Sequence, residues 1–276
     1  MTGTKGTVAV TAGRIGFVLA LWGLWEVAVR QEWVASIVLP PPGDVISALP
    51  EVLNNAVTWQ AVTITLREIA AGSAVALVGG LLIGGLAGLW PHARLFVEPS
   101  LVWLQVIPII ILYPVCVLIF GLGSESKIVF AGLYGMLPIA YATVRALAYV
   151  EPGFTKTGIA LGATRWERLR YISLPSARPA LIAGTRIGIA LVIIGVLAGQ
   201  VLGSFGGLGY EITSAAQRLD SARLYGLIAL TVVIIGALQG ILTILSIVLG
   251  GEDRRLPSLT AKSGRGLAAL QTGPKP

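Results

Sequence analysis

The sequence predicts an all-α membrane protein with six transmembrane helices, and three observations support this fold class. Hydrophobic residues make up 55% of the 276 residues and charged residues only 12%, against about 25% charged in an ordinary soluble domain. There are 35 glycines, about twice the usual frequency, and glycine is common where membrane helices approach one another closely. The third observation is that long stretches of the chain contain no charged residue.

Five charge-free intervals are each long enough for a membrane helix of about 20 residues. They lie between Glu68 and Arg94, Glu98 and Glu125, Lys127 and Arg145, Arg186 and Glu211, and Arg223 and Glu252. A sixth apolar stretch, residues 15–29, contains one acid, Glu26. We interpret it as a retained first helix rather than a signal peptide, because no small-x-small cleavage site closes it.

The elements follow in order from these stretches. A flexible arm (1–13) precedes the membrane domain (14–250), and the tail (251–276) is predicted to be disordered. After the first helix, a proline-rich break leads to a short amphipathic helix with Val45, Ile46, Leu49 and Leu53 on one side. The predicted helices cover residues 14–31, 44–54, 59–90, 97–120, 128–149, 179–202 and 225–249. Pro108 and Pro114 predict a kink or break in the fourth of these.

The distribution of basic residues predicts the orientation. With six alternating spans, five of the 20 Lys and Arg residues lie on the outer side and the other fifteen inside. Because basic loops stay in the cytoplasm, we expect both termini there. The net charge of +7 then reflects topology and lipid contact rather than nucleic-acid binding.

The longest inner loop, residues 150–178, has an amphipathic pattern. Gly158, Gly162 and Trp166 fall on one face of a helix together with Leu169 and Ile172. We expect Pro175 to end that helix. From the amphipathic pattern alone, the favoured interpretation is an interfacial helix that rests on anionic lipid.

The spacing of four residues in this loop favours contact with a protein over contact with lipid. Gly162, nine residues, Ile172, one residue and then Leu174-Pro175 resembles the signature loop of ATP-binding-cassette importer permeases, which begins with Glu-Ala-Ala. Those first three positions are Lys156, Thr157 and Gly158 here, so the acid is replaced by a base. In that family the loop docks into a groove of a cytoplasmic ATPase subunit.

Five further stretches resemble permeases of the nitrate, sulfonate and taurine type: residues 39–45, 66–68, 108–114, 120–127 and 203–210. The resemblance covers roughly residues 38–250. It implies the type I ABC importer permease (MetI-like) architecture, with a cytoplasmic coupling helix, in the bacterial cytoplasmic (inner) membrane.

The resemblance also implies a set of partners. These are a second copy of the permease (a homodimer), two cytoplasmic ATPase subunits, an extracytoplasmic substrate-binding protein and membrane lipid. This chain would bind no cofactor, because ATP and Mg²⁺ would sit on the partner ATPase. The solute would be small and anionic, such as a sulfonate, taurine or nitrate.

The same resemblance assigns candidate residues. In the coupling loop we expect Trp166, Leu169 and Ile172 to make the hydrophobic contact, Arg165 and Arg168 the polar rim, and Gly162 the close approach. The full coupling set is Lys156, Gly158, Gly162, Ala163, Arg165, Trp166, Arg168, Leu169, Ile172, Leu174 and Pro175. The candidate pathway residues are Arg67, Glu68, Pro108 and Pro114.

The residues argue against an enzyme. None of the five lysines follows a glycine, so no phosphate-binding P-loop is present, and a single His and a single Cys supply no metal cluster or catalytic pair. The alternative function is an ion-gradient-driven secondary transporter, for which charges inside the membrane would be the signal. Glu26, Arg67 and Glu68 are the candidates, although Arg67 and Glu68 could simply anchor the helix end. The glycines at 80, 84 and 88 predict either helix packing or a dimer seam.

Overall fold

The computed structural model describes residues 3–250, and all regular structure in that range is helical. The predicted all-α class is therefore confirmed. The helices are α1 (Gly3–Arg30), α2 (Pro42–Asn54), α3 (Ala56–Leu89), α4 (Pro91–Val106), α5 (Tyr113–Phe120), α6 (Ser124–Ala148), α7 (Pro152–Ala160), α8 (Arg165–Arg168), α9 (Leu174–Leu202), α10 (Leu208–Gln217) and α11 (Ser221–Gly250). The predicted disordered tail, 251–276, lies outside the described residues.

Within the described range, four helices are long and apolar enough to cross a membrane. They are Ala56–Leu89, Ser124–Ala148, Arg165–Leu202 and Ser221–Val248. The pair Pro91–Val106 and Ile109–Phe120 adds a fifth crossing if its two arms, bent by 88°, count as one span. Each of these five overlaps one of the five charge-free intervals. The sixth predicted span, residues 14–31, falls on α1; it is not one of these five and stays a prediction.

The bend between α4 and α5 confirms the predicted break. Ile107 has an extended conformation (φ −70°, ψ 127°), as expected for a residue that precedes a proline, and Pro108 has no N–H to continue the α4 ladder. A short 3₁₀ turn, Ile109–Leu112, then leads into α5. Pro114 does not kink a helix, because it occupies the first turn of α5, where a proline costs no hydrogen bond.

Helix α1 begins earlier than the sequence predicts. Its backbone is helical from Gly3, so it includes most of the segment 1–13 that we expect to be a flexible arm. No proline occurs in this segment, and nothing therefore interrupts the helical ladder there.

The core consists of α3, α6 and α9, with α3 and α6 parallel and α9 antiparallel to both. Glycines bring the backbones together: a β-carbon on Gly84 would lie 2.5 Å from the Ala140 carbonyl oxygen, and one on Gly80 would lie 2.7 Å from Ile139. Gly188 of α9 meets Ile139 as closely. The glycine ladder of α3 is thus used for packing inside one chain, and the dimer-seam reading of these residues is wrong.

At the other side of the fold, α2 packs on α11. Val52, Val62, Leu208 and Leu227 form a buried apolar cluster there. The predicted apolar side of α2 is correct for Val45, which is buried, but wrong for Ile46 and Leu53, which are exposed. The buried face instead consists of Pro42, Val45 and Val52. This is the face that α2 presents to the N-terminal turns of α11.

Two neighbouring glycines of α3 offer a test of the core. Gly84→Ala should lower the free energy of unfolding by about 1–3 kcal/mol, since the new methyl group would collide with the backbone of α6. Gly85→Ala is the matched control, because a β-carbon there meets nothing within 4 Å. Thermal denaturation of the purified chain in detergent would compare the two, and equal stability of both variants would contradict the assigned packing.

Candidate functional site

The segment 150–178 folds as a helix–turn–helix rather than as the single helix that the sequence predicts. Helix α7 ends at Ala160, a turn follows, and α8 starts at Arg165. Gly158 is buried, and a β-carbon there would lie 2.6 Å from the Ile172 side chain. The missing side chain at position 158 therefore lets α7 rest directly on the helix that follows.

The turn depends on Gly162, which has a φ of +76°, a conformation that L-residues with side chains adopt at a cost. A β-carbon on Gly162 would meet nothing within 4 Å, so the backbone conformation is what requires glycine within this chain. Gly162 therefore lies in the turn and does not share one helical face with Gly158 and Trp166.

The start of α8 is held by a capping box. The Glu167 N–H donates to Thr164 Oγ1 (3.3 Å), and the Thr164 N–H donates to Glu167 Oε2 (2.7 Å). This reciprocal pair satisfies two N–H groups that a helix start leaves free. It directs α8 out of the turn at a defined angle.

The prediction that Pro175 ends this helix is wrong. The helix runs from Arg165 to Leu202 without interruption, and Pro175 sits in the first turn of α9. A π-helical turn, Leu169–Ser173, comes just before it, with the Leu174 N–H bonded to the Leu169 carbonyl. This wider turn rearranges the ladder where the proline lacks an N–H, so the helix continues.

The coupling candidates divide by exposure. Trp166 is 65% exposed, and two aromatic or aliphatic neighbours, Tyr171 and Leu161, are exposed by 70% and 81%. The other exposed candidates are Lys156, Gly162, Arg165, Leu174 and Pro175. The half-buried candidates are Ala163, Arg168, Leu169 and Ile172. The segment thus presents several large apolar side chains that this chain does not cover.

A polar cluster lies where this segment joins α6. Arg145 Nη1 is 3.1 Å from Glu98 Oε1, and the Tyr149 hydroxyl donates to Glu98 Oε2 (3.3 Å). The guanidinium groups of Arg94 and Arg145 lie 5.3 Å and 4.4 Å from the centre of the Tyr149 ring, a cation–π arrangement. These contacts tie α4 to the end of α6, beside a cavity of about 540 Å³ that Phe154 also lines.

The two charges of α3 face different surroundings, as their adjacent positions predict. Arg67 is exposed in a groove of about 600 Å³ along α3, together with Trp59, Gln60 and Thr63. Glu68 is 1% exposed, so the anchoring reading of this residue at the helix surface is wrong. Pro108 and Pro114 are exposed at the bend.

Glu68 has partners that sequence reasoning missed. Gln200 Nε2 donates to Glu68 Oε2 (2.7 Å), and Lys127 Nζ lies 3.8 Å from Glu68 Oε1. Lys127 is 2% exposed. A signal was available, because Glu68 and Lys127 have opposite charges and both stand where a charge-free interval begins.

A family comparison decides the class of protein. Residues 76–251 match the family described as binding-protein-dependent transport system inner membrane component. The chain belongs to this family. It is therefore an inner-membrane permease of the ABC importer type, as its motifs predict.

Three relatives agree with this class. The taurine transport system permease protein TauC of Escherichia coli K12 is 28% identical, over 77% of this chain and 78% of the relative. The riboflavin transport system permease protein RibX of Chloroflexus aurantiacus is 29% identical, over 78% and 82%. The putative aliphatic sulfonates transport permease protein SsuC of Bacillus subtilis is 26% identical, over 76% of each chain. All three are transport permeases by name.

A solved structure shows the same fold. A chain of the MetNI methionine ABC transporter, in an inward-facing conformation, matches with a TM-score of 0.61 and 22% identity. The match covers 70% of this chain and 96% of that chain. The MetI-like helical architecture is thus common to both.

The turn of the helix–turn–helix segment can be tested directly. Gly162→Ala should strain the backbone by about 1–2 kcal/mol, because a side chain disfavours the positive φ. Limited trypsin digestion should then cleave faster after Arg165 and Arg168. Gly153→Ala is the control, since a β-carbon there also meets nothing and Gly153 is not among the positive-φ glycines. Unchanged cleavage of the Gly162 variant would contradict the role of the turn.

Proposed function

We propose that this chain forms the translocation pathway of an importer for a small anionic solute, and that a separate ATPase drives it through the segment 150–178. The observation that carries the proposal is the helix–turn–helix with its uncovered apolar side chains, placed at the end of a long helix of the core. Its spacing also resembles the signature loop of importer permeases. The six-span topology and both cytoplasmic termini, which the basic residues predict, are part of this proposal.

The long helix Arg165–Leu202 would transmit movement from the segment 150–178 to the core. Arg165–Leu202 has 38 residues and is therefore about 57 Å long. The middle of this helix contacts α6 at Gly184 and Gly188, and the close packing there leaves no gap that could absorb movement. A force applied to the segment would thus shift the core itself rather than a loose loop.

The driving force would come from contacts between the ATPase and the segment 150–178 that differ between the inward-facing and outward-facing states. Closure of the ATPase subunits on ATP would pull the segment, and the pathway would change from inward to outward. A second copy of the chain would supply a second segment, one for each ATPase subunit. ATP and Mg²⁺ would stay on the ATPase, which leaves this chain without a catalytic role. Lys156, exposed where the family consensus has an acid, would require a complementary acid on the ATPase.

The solute class is supported by the α3 groove. The Arg67 guanidinium, the Gln60 amide and the Thr63 hydroxyl lie along one open surface, and Arg matches the geometry of planar or tetrahedral anions. TauC and SsuC carry taurine and sulfonates by name, which are compounds with a sulfonate group. We therefore favour a sulfonate, taurine or nitrate over a neutral solute, and the exposed prolines of the bend would line the same pathway.

Two exposed tryptophans at opposite ends test the docking assignment. Trp166→Ala should greatly reduce the amount of ATPase that co-purifies, since a buried aromatic anchor contributes about 2 kcal/mol or more to an interface. Trp33→Ala is the matched control, because Trp33 is 68% exposed and lies near the opposite end. Equal recovery of the ATPase with both variants would reject the assignment.

The anion assignment has its own test. Arg67→Gln should raise the KM for uptake of an anionic solute about tenfold or more, because a charge-assisted contact is lost. Arg30→Gln is the control, since Arg30 is an exposed arginine paired with Glu26 (2.6 Å). Uptake of taurine and riboflavin into vesicles containing the complete transporter would be compared. Preference for riboflavin, or an effect of Arg30→Gln alone, would reject the anion.

The secondary-transporter alternative is favoured by one observation, the buried Glu68. Its experiment is uptake into proteoliposomes that contain this chain alone. Uptake driven by a proton or sodium gradient without ATPase would support the alternative and overturn the proposal.

A further inference from the structure

The segment Gly203–Gln217 turns back into the bundle after α9 ends. Residues 203–207 are not helical, and α10 then starts beside Gln200 and Thr65, which lie on α9 and α3. The first nine residues of α3 extend about 14 Å beyond the level of Thr65. Irregular backbone at such a depth needs partners within the protein, and the segment must therefore be held by specific contacts.

Two of these contacts cap the N-terminus of α10. The Leu208 N–H donates to Thr65 Oγ1 (2.9 Å), and the Gly209 N–H donates to Gln200 Oε1 (2.9 Å). Both acceptors belong to buried residues, Thr65 at 2% and Gln200 at 1% exposure. Side chains of two other helices thus replace the local capping residue that a helix start usually has.

The fit around Gln200 is close. Gly207 has a φ of +97°, and a β-carbon on it would overlap the Gln200 amide. A β-carbon on Gly209 would lie 2.7 Å from the Gln200 side chain. On the far side of the turn, the Tyr113 hydroxyl donates to the Gly203 carbonyl (2.6 Å). The segment therefore fits the core in one position, and Gln200 lies at the centre of the contact surface.

The buried charges determine which way the Gln200 amide points. Its NH₂ group donates to Glu68 Oε2 (2.7 Å), and this leaves its oxygen directed at α10. Lys127 balances the carboxylate from 3.8 Å and also donates to the Gly123 carbonyl (2.8 Å). The negative charge of Glu68 is thereby transmitted through one amide to the positive end of the α10 dipole.

We infer that Gln200 is a positioning residue, which uses the Glu68–Lys127 pair to lock α10 onto α3 and α9. The segment Gly203–Gln217 then moves with the three-helix core as one body when the transporter changes state. This inference concerns the end of the core opposite to the segment 150–178, and it does not depend on the solute or on the ATPase.

A charge-exchange pair of variants tests the amide relay. Gln200→Glu places a second carboxylate against Glu68 and should release α10. The double variant Glu68→Gln/Gln200→Glu should restore the seat, because the amide at position 68 accepts from Lys127 and donates to the new carboxylate, which accepts from Gly209. Gln200→Met removes the hydrogen bonds without adding charge and gives a second way to release α10 if the charged variant fails to insert.

The readout is thiol labelling of the full-length chain in lipid nanodiscs. Ala215→Cys places a reporter in α10, where Ala215 is 3% exposed, and the single native cysteine, Cys116, is buried in α5. We expect the reporter to react about tenfold faster or more in the single variants and to return to the parent rate in the double variant. Cys116 should keep its rate throughout.

Three results would overturn the inference. The first is a reporter that stays protected in the Gln200→Glu and Gln200→Met variants. The second is a double variant as reactive as the single ones. The third is Cys116 labelling that rises in step with the reporter, since this would mean that the whole bundle loosens rather than that α10 is released.

Discussion

The rest of the structure depends on the close approach of the α3, α6 and α9 backbones. In a bilayer, no hydrophobic effect drives helices together, and association comes from van der Waals contact between surfaces that fit. Glycines supply that fit on all three helices, as at Gly80 and Gly84 of α3, Gly135 of α6 and Gly188 of α9. The segment 150–178 and the Glu68–Lys127–Gln200 cluster are both attached to this glycine-packed core.

One helix of the core carries features at both of its ends. The continuous Arg165–Leu202 helix begins in the exposed segment and ends two residues after Gln200, which seats α10. Between these ends, Val192 and Val196 are fully buried against the neighbouring helices. Because packed interiors transmit displacement rather than absorb it, the two ends are mechanically joined in a way that a flexible loop would not allow.

The sequence predicts the parts of this protein that follow from periodicity and composition. Charge-free intervals identify the four long apolar helices and the bent pair that would make a fifth crossing. Pro108 identifies the bend, and the loop motif identifies the family. The internal geometry of residues 150–178 was not predictable in the same way. In the sequence, a glycine that permits a close contact cannot be distinguished from one that supplies a positive φ, and Gly162 is of the second kind. The Glu68–Lys127–Gln200 cluster was missed since its members are far apart in the chain and meet only through the packing of three helices.

The π-helical turn Leu169–Ser173 has a consequence for how such a segment can change orientation. A wide turn holds one residue more than the α-helical ladder needs, and each residue of an α-helix rotates the chain by about 100°. If this turn changed from the wide to the α-helical hydrogen-bonding pattern, the membrane part of the helix would stay in place while Trp166 rotated by about 100° around the helix axis. A change of hydrogen bonding in one turn is therefore enough to turn this face toward a different contact surface without repacking the bundle.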